Sequence, residues 1–514
     1  MRQRLLALSI LVVLGAGCFE SRQPKNDVEP TGFARPINDG DLRQMSALEQ
    51  YRIYNKLLAT LYKGESADNF FDLSAGLAMP KRKDTQPLIE NLKEKLHKSV
   101  VDDNYYAQLV NAKHGVSIVM TNPNPRAYAM AMLQEMPLTR THYMHWIAYQ
   151  LTNAILFSPG LELDSVSQED AQIIYQRLVA MLQEHRSISE ILYAHLISRE
   201  NWRRFRSPED NTREMMEIYL LRFDDSEVPK AATACKNWYL DVNDAYTLKF
   251  NGTPTPNVTP QTGLLDRDDI VSCEDFYRAI TKHPNLAAAI TSRLIDHFFY
   301  GYSVMFKQAF INSVVSTDPK YFDDIFESIV FSYEYLTKVS RAKSFEETFL
   351  GTGERLYWYA WGGFFRVKTG DDASSVTPNL TNINQQAMTY KLGRPWHIPF
   401  DSLSLAFYHK SVRDELFLDS RNDQNGAGDG GWRTTLINQP NIQSLSDDDF
   451  IDYLFISSLT RKPTDLERTT LQAIFIAQNV TSRTNKAFIT FDYASRLAES
   501  YHFPALKEMT SYGY

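Results

Sequence analysis

The chain has 514 residues, of which 43% are hydrophobic and 23% are charged. This composition excludes a disordered chain, collagen and a coiled-coil rod, because it provides enough apolar side chains for a packed core. The formal net charge of -8 argues against a nucleic-acid partner, since such partners require clustered positive charge. Three cysteines are too few for a disulfide-rich scaffold.

The first 18 residues predict an export signal. Arg2 and Arg4 precede an apolar run at 5–14, which is too short to span a bilayer, and small residues follow at 15–17. Cys18 comes next and resembles the cysteine of a bacterial lipobox, although the leucine stands four residues before it rather than three. We expect cleavage before Cys18, its lipidation, and attachment to the outer membrane of the bacterial envelope through the acyl chains. An ordinary secretory signal is the alternative.

The composition along the chain suggests five segments. These are a signal peptide at 1–17, a flexible tether at 18–42, an N-terminal helical region at 43–240, a loop or linker at 241–270 and a C-terminal helical region at 271–514. The tether and the linker are predicted because both are polar and rich in proline and glycine. One continuous domain with the loop inside it is the alternative.

Apolar residues recur with a period near 3.6 in most of the chain, as between 43 and 62. Helix starts are predicted at Ser207-Pro208 and at the capping box that runs from Thr464 to Glu467. Only 116–120 and 246–250 have the pattern of strands. The predicted fold is therefore all-α, a large body of roughly fifteen to eighteen helices with long loops and no substantial sheet.

Two cysteines, Cys235 and Cys273, are left once Cys18 is assigned to the anchor. An even number of cysteines in an exported protein allows one disulfide between them. Two buried thiols are an equally good interpretation of the sequence.

Several short segments follow one another in the order of a known family: DNTREMMEIY at 210–219, AATACKNW at 231–238, HP at 283–284, FF at 298–299 and KS at 343–344. They resemble a large family of exported bacterial proteins, the domain of unknown function numbered 1800, over residues 138–345. The chain departs from the family pattern at Asp210 and Arg222, where the family has an asparagine and a glycine. The resemblance implies an exported helical protein, and it brings no established reaction.

Arg213, Glu214 and Glu217 lie in the segment that carries this resemblance. Arg213 and Glu217 are four residues apart, so they share a helix face and can form a salt bridge. Glu214 or Glu217 is a candidate general base for a hydrolase that acts on an envelope or extracellular polymer. A structural ion network explains the same residues, and no nucleophile accompanies them.

His142 and His145 are the candidate metal ligands of the helical part. At positions i and i+3 of a helix, both imidazoles can reach one ion. No third ligand is identifiable in the sequence, and a pair of ordinary helix histidines beside Trp146 is the competing interpretation.

The loop at 419–431 has oxygen-bearing side chains at Asp423, Asn425 and Asp429 with glycines between them. Such spacing is compatible with a calcium loop, so calcium at 419–431 is the possible cofactor. An EF-hand register fails, because the twelfth position is Trp432. A surface loop rich in turn-forming residues is the alternative.

The aromatic run at 357–365 either packs in the core or is exposed, where it could stack on glycans or enter lipid. Three functions therefore follow from the sequence. The main prediction is a lipid-anchored scaffold or partner-binding module with an envelope protein as its partner, since no catalytic machinery is identifiable. The alternatives are a polymer hydrolase and a glycan-binding lipoprotein.

Overall fold

The computed structural model describes residues 33–98, 129, 132–152, 168–205, 207–244, 246–252, 259–357 and 431–506. Within these ranges the predicted all-α class is confirmed, because helices dominate and the only sheets are two of two strands each. The ranges contain 21 α-helices, above the predicted number. Several of them have only four to seven residues, which is too short to show a helical period in the sequence.

The first helices lie before residue 152. They are α1 (Asp39–Leu42), α2 (Ala47–Thr60), α3 (Ala67–Phe70), α4 (Leu88–His97) and α5 (Arg140–Leu151), with a 3-10 turn at Leu73–Ala75. α2 begins at a capping box, in which Ser46 Oγ accepts from the backbone N–H of Glu49 and the Glu49 carboxylate accepts from Ser46 N–H. Every residue of α5 after Arg140 is buried, so this helix lies inside the core.

Five helices and a hairpin follow. They are α6 (Gln168–Gln183), α7 (Ile188–Leu196), α8 (Arg199–Arg204), α9 (Pro208–Leu220) and α10 (Val228–Ala234), then β1 (Trp238–Asp241) and β2 (Thr247–Phe250). α9 begins where the sequence predicts, with Pro208 in its first turn and Ser207 Oγ accepting from the N–H of Asp210. β2 coincides with the predicted strand at 246–250, whereas 116–120 lies outside the described residues.

The segment AATACKNW at 231–238 is helical only at its start. α10 stops at Ala234, and the N–H of Trp238 donates to the carbonyl of Cys235 in a turn. Trp238 then pairs with Phe250 in the antiparallel hairpin, with ring centroids 4.8 Å apart. The extended backbone that this pairing requires is incompatible with a helix at Trp238.

The middle of the body contains α11 (Cys273–Thr281), α12 (Leu286–Phe298), α13 (Val304–Val315), α14 (Phe322–Val330), α15 (Tyr333–Lys338), β3 (Arg341–Ala342) and α16 (Phe345–Arg355). α16 packs on α2, and two glycines allow the approach. A Cβ at Gly64 would collide with the carbonyl oxygen of Gly351, and a Cβ at Gly351 would lie 3.1 Å from that of Ala59. This close packing brings charged side chains of α2 and α16 towards each other.

The last described helices are α17 (Gly431–Ile437), α18 (Pro440–Gln443), α19 (Asp447–Leu459), α20 (Asp465–Ala477) and α21 (Arg483–Ala494), followed by a 3-10 turn at Ala498–Ser500 and β4 (His502–Phe503). α20 begins at the predicted capping box of Thr464 and Glu467. β4 pairs antiparallel with β3, with Arg341 opposite Phe503. The end of the described chain is therefore bonded to its middle.

Most buried apolar side chains form one cluster, which runs from Ile37 to Tyr501 in sequence. A small second cluster lies between α19, α20 and α21 and consists of Ile451, Phe455, Leu459, Leu471, Phe475 and Ala494. Among the helices that the structure describes, none has the length and apolar character needed to cross a membrane.

Part of the predicted tether is packed rather than flexible. Residues 34–42 belong to the compact unit that begins at Ala34, where the N–H of Ile37 donates to the carbonyl of Phe331. The carboxylate of Asp39 is buried and accepts from the first N–H groups of α4, including those of Ile89 and Glu90. The polar residues here resemble a linker in composition, but they cap two helices.

A disulfide joins Cys235 to Cys273 at the two ends of the predicted linker, between the end of α10 and the first residue of α11. α10 and α11 also contact each other, and both contact α9. The predicted linker therefore starts and ends at the same group of packed helices, α9, α10 and α11. This arrangement favours the interpretation of one continuous domain with a loop at 241–270.

Candidate functional site

The structure places Arg213, Glu214 and Glu217 together on one half-exposed face of α9. The guanidinium of Arg213 lies 4.0 Å from the carboxylate of Asp210 and 3.7 Å from that of Asp225. The predicted salt bridge to Glu217 is replaced by these two contacts. Burial raises the pKa of Glu217 above its ordinary value, and the charge of Arg213 opposes that rise.

His142 and His145 are both buried in α5, but their hydrogen bonds run to different neighbours. His142 Nε2 lies 2.8 Å from the carbonyl oxygen of Leu61, and His145 Nδ1 lies 2.6 Å from the hydroxyl of Tyr175. Burial lowers the pKa of His142 well below its usual value and that of His145 to about 3. Among the described residues, no cluster of three His, Cys, Asp or Glu side chains suited to a metal ion exists. The geometry therefore fits neutral core histidines better than ligands of one ion.

Three predicted sites cannot be placed. Cys18, the candidate calcium ligands Asp423, Asn425 and Asp429, and the aromatic segment after Tyr357 lie outside the described residues. Tyr357 itself is half-buried, and its hydroxyl donates to the carboxylate of Asp68 at 2.7 Å.

A further site emerges only from the fold. It is a cavity of about 20 Å³ where α2, α16, the end of α19 and β4 meet. Its charged and polar lining includes Arg52, Lys56, Lys343, Arg355, Glu499 and His502. We call this the cationic cavity. Its four bases are 3–8% exposed, and bases so deeply buried normally require a partner of opposite charge.

The bases that line the cationic cavity hold backbone carbonyls in place. Lys343 Nζ donates to the carbonyls of Glu499 and Ser500, at 2.8 and 3.3 Å. Arg52 donates to the carbonyls of Pro504 and Ala505. The charged side chains thereby tie the last described residues to α2 and to the start of α16.

The other two bases bind carbonyls inside the body. Lys56 Nζ donates to the carbonyl of Val339 at 2.7 Å. Arg355 donates to the hydroxyl of Thr352 and the carbonyl of Ser458, while its Nε is buried and has no hydrogen-bond partner. The hydroxyl and carbonyl acceptors of Arg355 carry only partial charges, so they satisfy its donors without neutralising the cation.

The carboxylates near the cationic cavity are already engaged by other arginines. Glu499 accepts from Arg461 Nε at 3.0 Å. Glu347 accepts from Arg341 at 2.8 and 2.5 Å in a fully buried pair. Although burial alone would lower the pKa of Arg341, Glu347 holds it above its ordinary value.

Burial is the main cause of the lowered pKa of two cavity bases. Burial, together with the charge of Arg355, lowers the pKa of Lys343 well below its ordinary value. Burial also lowers the pKa of Arg355. The cationic cavity thus combines desolvated bases with a lining that contains a single carboxylate, that of Glu499.

Sequence reasoning missed the cationic cavity because its residues lie far apart in the chain. Lys343-Ser344 belongs only to the family resemblance, and Arg52 and Arg355 lie within ordinary helical patterns. A basic residue at a core position of the helical period is the one signal that could have pointed to them.

Comparison with known proteins adds no relative, since no family model, no curated protein and no solved structure matches the chain. The resemblance at 138–345 therefore stays a prediction.

Proposed function

We propose that the protein is an exported, lipid-anchored scaffold of the bacterial envelope, with an envelope protein as its partner. The observation that carries the proposal is the lipobox-like sequence ending at Cys18, which precedes a body that begins within the next twenty residues. The disulfide between Cys235 and Cys273 supports export, because such bonds persist in oxidising compartments.

The packed segment at 34–42 limits the length of the link to the membrane. Only residues 19–33 lie between the predicted anchor and the compact unit. A chain of this length spans at most roughly 50 Å when fully extended. The helical body would therefore stay close to the bilayer surface, where a partner in or on the same membrane is within reach.

One exposed apolar surface fits a protein partner. Val304 and Met305, at the start of α13, are 63% and 84% exposed, and Tyr300 stands beside them in sequence. Beneath this turn the rings of Phe299 and Phe306 pack 5.5 Å apart. Adjacent exposed apolar side chains on a rigid aromatic base are typical of contact surfaces.

The anchor is tested by labelling cells with radioactive palmitate and separating their membranes. We expect label on the wild-type protein and its recovery with the outer membrane. Cys18→Ser should remove the label and release the protein, whereas Cys235→Ser/Cys273→Ser should keep the label because acylation is confined to Cys18. Unlabelled wild-type protein would refute the lipid anchor.

The scaffold role is tested by crosslinking the intact envelope and capturing the protein through a C-terminal tag. We expect a stoichiometric protein partner, whose recovery falls at least tenfold with Val304→Ser/Met305→Ser. Leu466→Ser/Ile476→Ser on the exposed side of α20 is the matched control. Recovery of the protein alone, or with glycan, would contradict the scaffold and favour the two alternative functions.

A further inference from the structure

The turn that joins α12 to α13 has an exposed apolar tip. Residues 298–306 contain five aromatic side chains and no charged one. Val304 and Met305 are 63% and 84% exposed at the start of α13. Ser303 Oγ accepts from the N–H of Phe306 to cap this helix, and the N–H of Tyr302 donates to the carbonyl of Phe299 across the turn. These bonds hold the turn in one conformation.

The turn lies beside the point where the predicted tether joins the body. The carbonyl of Arg35 accepts from the N–H of Tyr333, the first residue of α15, at 2.7 Å. At the other end of α15, the carbonyl of Lys338 accepts from the hydroxyl of Tyr302. Five residues of helix rise roughly 8 Å, so little more than the length of α15 separates the tether exit from the turn.

We propose that this turn enters the headgroup region of the bilayer that carries the lipid anchor, with Val304 and Met305 as the inserted side chains. The inference rests on the proposed anchor at Cys18 and adds what the body itself contacts, a phospholipid surface. Because only residues 19–33 separate the anchor from the compact unit, the tether exit and its surroundings stay near the membrane. A body held in this way presents a fixed side to proteins of the same membrane, so loss of Val304 and Met305 would also weaken the recovery of a protein partner.

The chemistry around the tip is that of a membrane interface. Tyrosines are enriched at the headgroup level, because their rings are apolar and their hydroxyls polar, and Tyr300 is 43% exposed beside the tip. Lys338 is exposed at the end of α15, where its ammonium can reach lipid phosphates. The carboxylate of Asp296, on α12, is paired with Lys307 Nζ at 2.7 Å, which reduces its repulsion of anionic lipid. An apolar tip with amphipathic and cationic flanks suits shallow insertion.

Insertion is measured on the lipidated full chain in vesicles of phosphatidylethanolamine and phosphatidylglycerol. Met305→Cys carries an NBD fluorophore, and Leu466→Cys, which labels a similarly exposed site of α20, is the control. Labelling without reductant leaves the disulfide intact. We expect a blue-shifted emission at 305, and quenching by headgroup-spin-labelled lipid that is about threefold stronger than at 466. Equal spectra and equal quenching at the two sites would overturn the proposal.

A charge at the tip separates insertion from proximity to the membrane. Val304→Asp in the Met305→Cys protein should abolish the blue shift, because a carboxylate resists transfer into lipid. Leu466→Asp makes the same change and should leave the signal of the label at 305 unchanged. Val304 and Leu466 each lie in the first turn of a helix, where a carboxylate is compatible with the fold. An unchanged signal in Val304→Asp would contradict insertion.

The anchor and the insertion fail in different ways. Absence of palmitate on the wild-type protein would remove the anchor, and the inference with it. Palmitate on a chain whose label at 305 stays in water would leave the anchor intact and overturn the insertion. In the intact envelope, p-benzoylphenylalanine in place of Met305 should form adducts with lipid. Adducts with protein alone would assign the turn to a protein interface and overturn the proposal.

Discussion

Charged side chains occur in two contrasting settings in this protein, on the face of α9 and around the cationic cavity. Arg213, Glu214 and Glu217 are neighbours in sequence and are half-exposed. The cavity bases are buried and lie far apart in the chain, Arg52 and Lys56 in α2, Lys343 before α16 and Arg355 at its end. The contrast teaches that a motif conspicuous in the sequence can be energetically minor, while dispersed bases carry the electrostatic cost.

The largest effect on stability is expected at the buried ion pair of Arg341 and Glu347, beside the cationic cavity. Arg341→Met leaves Glu347 buried without its partner, so we expect the free energy of unfolding to fall by about 3–5 kcal/mol. Urea denaturation followed by circular dichroism measures it. Adding Glu347→Gln should recover part of the loss, because the uncompensated charge is then removed. If Arg341→Met alone is as stable as the wild type, the ion pair contributes nothing to the free energy of unfolding.

Near α9, the disulfide between Cys235 and Cys273 links α10 to α11 covalently. Replacing Cys235 and Cys273 by alanine opens a loop of 38 residues and should lower the unfolding free energy by about 4 kcal/mol. Thiol labelling of the unfolded, unreduced protein provides the chemical check. Two reactive thiols, from Cys235 and Cys273, would contradict the disulfide.

Burial should keep the imidazole of His145 neutral, and this can be tested outside the cationic cavity. Its pKa of about 3 lies below the value of about 6.5 expected in the unfolded chain. Between these values the unfolded state binds more protons, so stability is complete above pH 6.5 and is lost as the pH falls. We expect His145 to account for a loss of about 2 kcal/mol at pH 5.

His145→Gln removes this titration while keeping a hydrogen-bonding group near Tyr175. Denaturant unfolding at pH 7 and pH 5 compares the two proteins, and the variant should lose less stability on acidification. An identical loss in both proteins would mean that other groups, such as His142, account for the acid sensitivity.

The smallest effect on stability is expected at Glu217, on the half-exposed face of α9. Glu217→Gln should change the unfolding free energy by less than about 0.5 kcal/mol, since the side chain is half-exposed and makes no close ion pair with Arg213. An unchanged envelope phenotype in this variant would also remove the main support for a hydrolase. A destabilisation above about 2 kcal/mol would place Glu217 among the structural charges instead.

Local rules predicted the helices well and the charged sites poorly. The starts of α9 and α20 followed from Ser207 and from Thr464 with Glu467, because capping depends on residues within one turn. The same rules misjudged Asp39, whose carboxylate accepts from the N–H of Ile89, 50 residues further along the chain. They also could not foresee that Arg52 and Lys343 line one cavity. Such contacts depend on tertiary packing, which no local pattern encodes.

The pairing of β3 with β4 has a consequence for a chain made from its N-terminus. Residues 499–505 leave the ribosome after all other elements described, and until then Arg52 and Lys343 lack the carbonyls that they bind. A chain interrupted before Glu499 would expose these bases and the surface that Phe503 covers. A chain that lacks the closing strand should therefore unfold more readily and be cleaved faster by added protease than the full chain.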